Sequence, residues 1–322
     1  MAKILLMSQP LSERIKSLPA SATLAMAAKA RELKNEGKDI IGLSLGEPDF
    51  NTPEFIKEAA IEAIEANYNS YTPVDGYADL KEAICTKFKR DNGLAYKTSQ
   101  IVVSTGAKQS IANVVQVLVN PGDDVLLVAP FWVSYSAMVT LAEGNPIEIR
   151  SGIETDFKIK PEQLEAAITP KTKLVMLNSP NNPSGSVYSK EEYEALAVVL
   201  EKHPTIFVMS DEIYEHINYD GVTPFSFAAI PSMYARTVTV NGLAKAFAMT
   251  GWRIGYLGGP EWIAKACTKI QGQVTSGTIV LRSALQLQPY WRLLAKSNIW
   301  LMNLIFVESV LLTCFKTLKD LK

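Results

Sequence analysis

The sequence is poor in the residues that build metal clusters and disulfide frameworks. Its 322 residues include three cysteines, Cys85, Cys267 and Cys314, and two histidines, His203 and His216. Three scattered cysteines exclude a disulfide framework and a zinc knuckle, and two histidines exclude a His-rich metal site. We therefore expect no bound metal and a cytoplasmic location.

Charge of one sign and long apolar runs are also scarce. The 32 basic and 33 acidic residues give a net charge of −1, so no overall positive field exists to hold nucleic acid or an anionic membrane. The first ten residues contain an apolar run too short for a signal peptide. The apolar stretch 299–315 is shorter than the ~20 residues that span a bilayer, and Glu308 interrupts it. We expect small-molecule and protein partners, with no nucleic acid and no membrane.

The chain has enough apolar residues for a large core, because 48% of it is hydrophobic and 20% is charged. Short runs rich in β-branched residues alternate with segments of helical spacing, which predicts an α/β fold with a mostly parallel sheet. The predicted strands are 101–104, 124–129, 173–178, 206–210, 236–240 and 254–258, and the predicted helices include 22–35, 108–119 and 190–201. Ligands bind at the carboxyl ends of the strands in such sheets.

The most informative segment is 238–258, in which Lys245 follows a predicted strand and Arg253 comes eight residues later. A lysine held out of water has a lowered pKa, and its neutral amine can attack a carbonyl group. An aldehyde cofactor would suit such a lysine. The alternative is a solvated surface lysine, which is the commonest kind.

A carboxylate is predicted at the same edge of the sheet. Asp211 ends the 206–210 strand, and a buried acid there needs a cationic partner such as a protonated pyridine nitrogen. Tyr214, three residues later, could then bind the phenolic oxygen of the same ring. The alternative is that Asp211 and Glu212 form an ordinary acidic helix start.

Two turn-rich segments also follow predicted strands. At 104–109 a small-residue turn containing Gly106 opens a helix, and backbone N–H groups at such a turn bind phosphate. The turn is neither a Walker A loop nor a GxGxxG motif. In 178–185, Asn182 precedes a proline and is held extended, so its amide could project over a ligand. The alternative for this segment is a plain tight turn.

Four segments together resemble a known family. They are GEPDF at 46–50, NSPNNPSG at 178–185, SDEIYEH at 210–216 and NGLAKAFAMTGWRIGY at 241–256. They resemble the class I aminotransferases of fold type I, in the bacterial aspartate aminotransferase subgroup. The resemblance implies pyridoxal 5′-phosphate as cofactor, a mostly parallel seven-stranded sheet in a large domain, a small domain that is incomplete here, and a homodimer with shared active sites.

The resemblance also implies roles for individual residues. Lys245 would bind the cofactor covalently and move the substrate's α-proton, Asp211 would pair with the pyridine nitrogen, and Tyr214 and Asn182 would hold the ring's 3′-oxygen. The other implied roles are phosphate binding by Arg253 with Gly106, Ala107 and Lys108, ring stacking by Trp132, substrate contacts by Gly46, Trp132 and Asn182, and contact of Tyr71 with the neighbouring subunit's cofactor phosphate.

The implied reaction is ping-pong transfer of an amino group between an amino acid and a 2-oxo acid. Lys108 resembles a residue that favours acidic side chains, which indicates aspartate or glutamate with 2-oxoglutarate or oxaloacetate, and prephenate as a further acceptor. Two alternatives stay open. One is a truncated or frameshifted chain that binds the cofactor without catalysis, and the other is a different fold type I enzyme such as a β-lyase.

The sequence departs from the family in two places. Gly242 stands where many relatives have a phosphate-binding serine. After Thr278 the family pattern ends, and the arginine that clamps the substrate α-carboxylate is not found, since neither Arg282 nor Arg292 lies in a matching context. We accordingly divide the chain into an N-terminal arm with part of the small domain (1–45), a large cofactor-binding domain (46–278) and an atypical tail (279–322).

Overall fold

A computed structural model describes residues 11–18, 20, 22–42, 46–68, 70–217 and 221–278. The strands in these ranges are β1 Ile101–Thr105, β2 Asp124–Ala129, β3 Asn145–Arg150, β4 Thr172–Asn178, β5 Phe207–Asp211, β6 Thr237–Gly242 and β7 Ile254–Gly258. The helices are α1 Glu13–Lys16, α2 Ala22–Asn35, α3 Glu54–Glu65, α4 Ala78–Asn92, α5 Ala107–Leu118, α6 Ser134–Leu141, α7 Pro161–Ala167, α8 Lys190–Glu201 and α9 Glu261–Val274.

The seven strands form one sheet in the order β1-β7-β6-β5-β4-β2-β3. Strands β2 to β6 are parallel to their neighbours within that set, and β7 runs antiparallel to both β1 and β6. The predicted α/β class and the mostly parallel seven-stranded sheet are therefore confirmed. The apolar runs predict every strand except β3, an edge strand that contains Pro146 and buries only Ile149. Edge strands tolerate proline and polar residues, so β3 lacks an apolar run.

Both faces of the sheet are covered by helices. Val125 and Leu127 of β2 pack in one buried cluster with the apolar face of α5, and Leu126 and Val128 pack in another with α8. Because successive side chains of a strand point to opposite faces, α5 and α8 lie on opposite sides of the sheet. Central strands buried on both sides carry the continuous apolar runs that made them recognisable.

The start of α8 follows the predicted capping pattern. The Ser189 hydroxyl accepts a 3.2 Å hydrogen bond from the Glu192 backbone N–H, and the Glu192 carboxylate accepts a 2.7 Å bond from the Ser189 N–H. This capping box satisfies two backbone donors that the helix leaves unpaired.

The sheet brings the ends of three strands together. Asn178 at the end of β4 is the register partner of Asp211 at the end of β5, and Asp211 is in turn the partner of Val240 in β6. The segments that follow these parallel strands must therefore meet at one edge.

Several predictions fall outside the described residues, namely those on the first ten residues, the stretch 299–315 and the tail 279–322 with Arg282 and Arg292. Within the described ranges, no helix is both long and apolar enough to span a membrane. The domain boundaries at 45 and 278 stay predictions.

Candidate active site

Asp211 is a buried acid at the carboxyl end of β5, with 4% of its surface exposed. Its Oδ2 accepts a 2.6 Å hydrogen bond from the Tyr135 hydroxyl, and its Oδ1 accepts a 3.2 Å bond from the Ile213 N–H. Burial raises the pKa of Asp211 to about 6, although both hydrogen bonds lower it. A cation at this carboxylate would favour its charged form.

Sequence reasoning missed Tyr135. The residue lies in α6, and the one available cue is an aromatic side chain three residues after Trp132. The Trp132 and Tyr135 rings pack edge to face, with their centroids 5.5 Å apart.

Asn178 joins the two turn-rich segments that were singled out in the sequence. Its Nδ2 donates a 2.9 Å hydrogen bond to the Asp211 carbonyl, and its Oδ1 accepts a 2.7 Å bond from the Asn182 N–H. The Asn182 side-chain amide in turn donates a 3.1 Å bond to the Tyr214 hydroxyl. The 178–185 segment is therefore part of the same site as Asp211 and Tyr214, and is more than a plain tight turn.

Lys245 lies three residues beyond the end of β6 and is half-buried. Its Nζ donates a hydrogen bond to the Gly46 carbonyl and lies 5.7 Å from the centroid of the Tyr214 ring. Burial lowers the pKa of Lys245, and the Arg253 charge lowers it further, whereas Glu47 raises it. A lowered pKa increases the fraction of neutral amine, which is the nucleophilic and basic form.

Gly106 and Arg253 form a cradle at the start of α5. Gly106 precedes the first helical residue, Ala107, with φ at 78°, and no side chain caps the helix there. A Cβ atom built on Gly106 would lie 2.8 Å from Cζ of Arg253, so only glycine lets the guanidinium approach this closely. A helix N-terminus facing a guanidinium is a favourable site for a phosphate.

Lys108 and Trp132 lie beside this cradle. The Lys108 Nζ is 4.7 Å from the centroid of the Trp132 ring, a cation–π contact. Partial burial lowers the pKa of Lys108, and the nearby Arg253 charge lowers it further. Two cations thus lie close together on one side of the site.

Gly242 ends β6 opposite Gly255 of β7. A Cβ atom built on Gly242 would lie 2.8 Å from the Ile254 carbonyl oxygen and 3.0 Å from Cα of Gly255. The serine found in many relatives does not fit this backbone without movement of the strands. The close approach of the two strands explains why glycine stands at this position.

The residues present fit pyridoxal 5′-phosphate. The Gly106–Arg253 cradle suits a phosphate dianion, the buried Asp211 suits a ring nitrogen that carries a proton, and Lys245 suits an aldehyde carbon. Asn182 and Tyr214 add polar hydrogens for a ring oxygen. The remaining site residue predicted from the sequence, Tyr71, is 98% exposed in the single chain, so its contact with a neighbouring subunit stays a prediction.

Comparisons with known proteins also indicate an aminotransferase. The family model described as "Aminotransferase class I and II" matches residues 38–287. An aspartate/prephenate aminotransferase of Nitrosomonas europaea is 54% identical over 267 residues, covering 83% of this chain and 67% of the relative. Another, from Cereibacter sphaeroides, is 50% identical over 269 residues with the same coverage of both chains. This chain thus spans about two thirds of the length of these curated relatives.

Solved structures agree with the sequence matches. The aspartate aminotransferase of Rhizobium meliloti superposes with a TM-score of 0.84 at 41% identity, covering 98% of this chain and 74% of that one. The aspartate aminotransferase of Thermus thermophilus, solved with maleate, also has a TM-score of 0.84, at 39% identity and coverages of 97% and 77%. The resemblance predicted from the four sequence segments is confirmed.

Proposed function

This chain belongs to the class I and II aminotransferases, and we propose that within this family it acts on an acidic amino acid, aspartate or glutamate. It is a pyridoxal-phosphate-dependent transaminase that moves an amino group between an amino acid and a 2-oxo acid. The proposed oxo acids are 2-oxoglutarate or oxaloacetate, with prephenate as a further acceptor. The family and the names of the relatives favour transamination over a non-catalytic chain and over a β-lyase.

The proposed substrate class rests on the position of Lys108. Its ammonium group lies over Trp132 and close enough to Arg253 for the Arg253 charge to lower its pKa. A second cation beside the phosphate cradle can pair with the side-chain carboxylate of aspartate or glutamate. Maleate, the compound named with the Thermus thermophilus structure, is likewise a dicarboxylate, and the names of the relatives include aspartate and prephenate.

The residues of the site divide the work of binding. We assign phosphate binding to Arg253 and the start of α5, where the helix dipole and the guanidinium both favour negative charge. Asn182 and Tyr214 would orient the ring through its oxygen. Asp211 would keep a proton on the ring nitrogen, because its carboxylate would stabilise the positive charge of the protonated ring.

Lys245 is assigned the proton transfer. When bound, the cofactor supplies an electron sink for the charge that develops on the substrate α-carbon. The Lys245 amine takes the α-proton at Nζ as a general base and returns it as a general acid. Its lowered pKa supports this role, because burial increases the neutral fraction of the amine. Two half-reactions at one site give ping-pong kinetics.

A homodimer with shared active sites is part of the proposal, as are the large domain at 46–278 and a cytoplasmic location. Tyr71 and Ile41 are 98% and 84% exposed in the single chain, which supports a second copy as their cover. Tyr71 would then reach the neighbouring subunit's phosphate site, and Gly46 would line the substrate carboxylate site next to Lys245.

The decisive experiment mixes the purified protein, loaded with pyridoxal 5′-phosphate, with aspartate and follows conversion of the cofactor to its pyridoxamine form. Borohydride reduction followed by peptide mapping should label Lys245, and Lys245→Ala should abolish turnover. Lys265→Ala is the control, because Lys265 is an exposed lysine of α9 that pairs with Glu261 of the same helix. Near-normal transamination by Lys245→Ala would refute the assignment of this lysine. No conversion despite bound cofactor would favour the non-catalytic alternative, and a higher kcat/KM with phenylalanine than with aspartate would overturn the substrate class.

A further inference from the structure

A polar cluster surrounds Glu215, which lies four residues after Asp211 in the chain. None of its members has been assigned a role in cofactor binding or proton transfer. We define the Glu215 cluster as Lys87, Asn92, Glu215 and Asn241. Lys87 and Glu215 form an ion pair, and they are 1% and 9% exposed. Lys87 belongs to α4, whereas Glu215 lies one residue beyond Tyr214.

The Glu215 carboxylate binds groups from two other elements. Its Oε1 accepts a 2.6 Å hydrogen bond from Nδ2 of Asn241 in β6, and its Oε2 accepts a 2.8 Å bond from Nδ2 of Asn92 at the end of α4. The Lys87 ammonium also donates a 2.7 Å bond to Oδ1 of Asn92. The His216 Nε2 lies 3.3 Å from Oε1 of Glu215. The segment that carries Asp211 and Tyr214 is therefore fastened to α4 and to β6.

Glu212 is bound by two hydroxyl groups, and the Lys87 charge is the smallest of the influences on its pKa. Its Oε1 lies 2.8 Å from the hydroxyl groups of both Ser210 and Ser226. Burial raises the pKa of Glu212 to about 8, and the charge of Glu215 adds to this, so Glu212 is largely neutral at pH 7. Burial also disfavours the charge on Glu215, but Lys87 and His216 together outweigh this and hold the pKa of Glu215 below its usual value. One buried cation thus faces one buried anion.

Stability alone does not account for such a pair. The desolvation of two buried charges offsets most of their attraction, and apolar residues of similar volume often stabilise a fold equally well. What the pair adds is a fixed geometry, because its charged hydrogen bonds join three elements. One of these elements, β6, contains Asn241 and ends at Gly242, three residues before Lys245, and the fastened segment begins at Asp211.

We propose that Lys87 and Glu215 are positioning residues for transamination, and that their ion pair, completed by Asn92 and Asn241, holds segment 211–216 so that Asp211 and Tyr214 stay aligned with Lys245. This inference rests on the proposed function for its kinetic consequence. Its structural consequence, an ordered 211–216 segment, is independent of turnover. Misplacement of reacting groups by about 1 Å lowers rates by roughly 100-fold, so a small shift of this segment has a measurable effect.

The test compares the wild-type chain with the variant Lys87→Met/Glu215→Gln. The double substitution removes both charges together, so no unpaired charge remains buried. Three experiments are made on each protein. Urea unfolding gives the free energy of unfolding, hydrogen exchange without cofactor gives the exchange rates of the amides in 211–216, and steady-state kinetics give kcat and KM for aspartate. We expect near-normal unfolding, exchange in 211–216 at least ~10-fold faster, and a kcat at least ~10-fold lower with KM changed by less than ~3-fold.

The matched control is Lys158→Met/Glu192→Gln, which removes a Lys–Glu pair with 2.8 Å between Nζ and Oε1 at the start of α8. It should change neither the exchange of 211–216 nor kcat. Asn92→Ala serves as a second variant if the double variant does not fold, because it removes bonds to both Lys87 and Glu215 and leaves the ion pair in place. We expect it to speed exchange of the same segment.

Wild-type exchange and wild-type kcat in the folded variants would overturn the proposal. So would a loss of kcat that only follows the fraction of unfolded protein. If the wild-type protein itself does not transaminate, the proposed function fails, and the exchange of 211–216 alone still decides whether the pair holds the segment.

Discussion

The Tyr135 hydroxyl donates a 2.6 Å hydrogen bond to Oδ2 of Asp211, and both side chains are buried. Burial disfavours the Asp211 carboxylate, whereas the Tyr135 hydrogen bond favours it. The outcome is a pKa of about 6 for Asp211. A change in either contribution therefore alters the protonation of Asp211 in a range that kinetics can follow.

Removal of the Tyr135 hydroxyl should shift the pH dependence of transamination. In Tyr135→Phe the carboxylate loses a stabilising donor, so the pKa of Asp211 rises further above its usual value. A hydrogen bond to a charged group contributes ~1.5–3 kcal/mol, which corresponds to about one to two pH units. We expect the acid limb of kcat/KM to move to higher pH by about this amount.

Tyr188→Phe is the control for this shift. Tyr188 is also buried, and its hydroxyl accepts a 2.8 Å hydrogen bond from the Ile159 N–H in the cluster that contains α8. Its removal should lower stability and leave the acid limb in place. An unchanged acid limb in Tyr135→Phe would show that Tyr135 does not control the protonation of Asp211.

Asp211→Asn should make the cofactor-free protein more stable at high pH. The native pKa of Asp211, about 6, lies above the usual value, so the native state disfavours the charge. The associated stability is present below pH ~4 and is lost as the pH rises through about 6. The asparagine variant avoids this loss, so its advantage should grow between pH ~4 and ~6 to at most roughly 3 kcal/mol.

Urea unfolding at several pH values measures this effect, and transamination should be abolished in the same variant. Asp39→Asn, at an exposed position, is expected to change stability little at any pH. A stability difference for Asp211→Asn that does not vary between pH 4.5 and pH 8 would contradict the prediction.

Much of the fold is predictable because its signals are local. Buried strands carry continuous apolar runs, and the start of α8 carries a serine with a glutamate three residues later, so both are readable from neighbouring positions. Strand β3 is not readable in this way, because Asn145–Arg150 lies at the edge of the sheet and buries only Ile149. The segment is a strand because its backbone pairs with β2, and this pairing is not visible in its own sequence.

The site is predictable only in part. Three site residues stand out because they end or follow a strand, namely Asp211, Asn182 and Lys245. Arg253 stands out because it belongs to the same motif as Lys245. Tyr135 and the Glu215 cluster do not, since their partners lie far away in the sequence and the burial of Glu215 depends on Lys87 from another helix. A carboxylate in SDEIYEH appears solvated until the tertiary structure supplies its cation.

Gly106→Ala should weaken cofactor binding by displacing Arg253. A Cβ atom at this position would lie 2.8 Å from Cζ of Arg253, so the guanidinium must move away from the start of α5. Loss of a charge-assisted hydrogen bond worth ~1.5–3 kcal/mol weakens binding by about 10- to 100-fold. Titration of the cofactor-free protein with pyridoxal 5′-phosphate, followed by absorbance, measures the dissociation constant.

Gly93→Ala separates this effect from backbone strain. Gly93 caps α4 with φ at 70°, and a Cβ atom there has nothing within 4 Å. Both variants place alanine at a positive φ. Gly93 is in the left-handed region, where the loss of stability is about 1 kcal/mol, whereas Gly106 has a ψ of 158° and should lose more, roughly 1–3 kcal/mol. Only Gly106→Ala should change the dissociation constant, and equal weakening in both variants would rule out displacement of Arg253 as the cause.

Gly242→Ser tests whether the missing serine is a defect of the phosphate site or a requirement of the sheet. The added Cβ would lie 2.8 Å from the Ile254 carbonyl oxygen, so β6 and β7 must separate. Overpacking of this kind lowers stability by roughly 1–3 kcal/mol, and we expect no gain in cofactor affinity. Gly251→Ser, with nothing within 4 Å of its Cβ, should be less destabilising. Tighter cofactor binding by Gly242→Ser at unchanged stability would mean that the phosphate lacks a ligand in the wild-type protein. A loss of stability with no gain in affinity would mean that Arg253 and the start of α5 are sufficient to bind the phosphate.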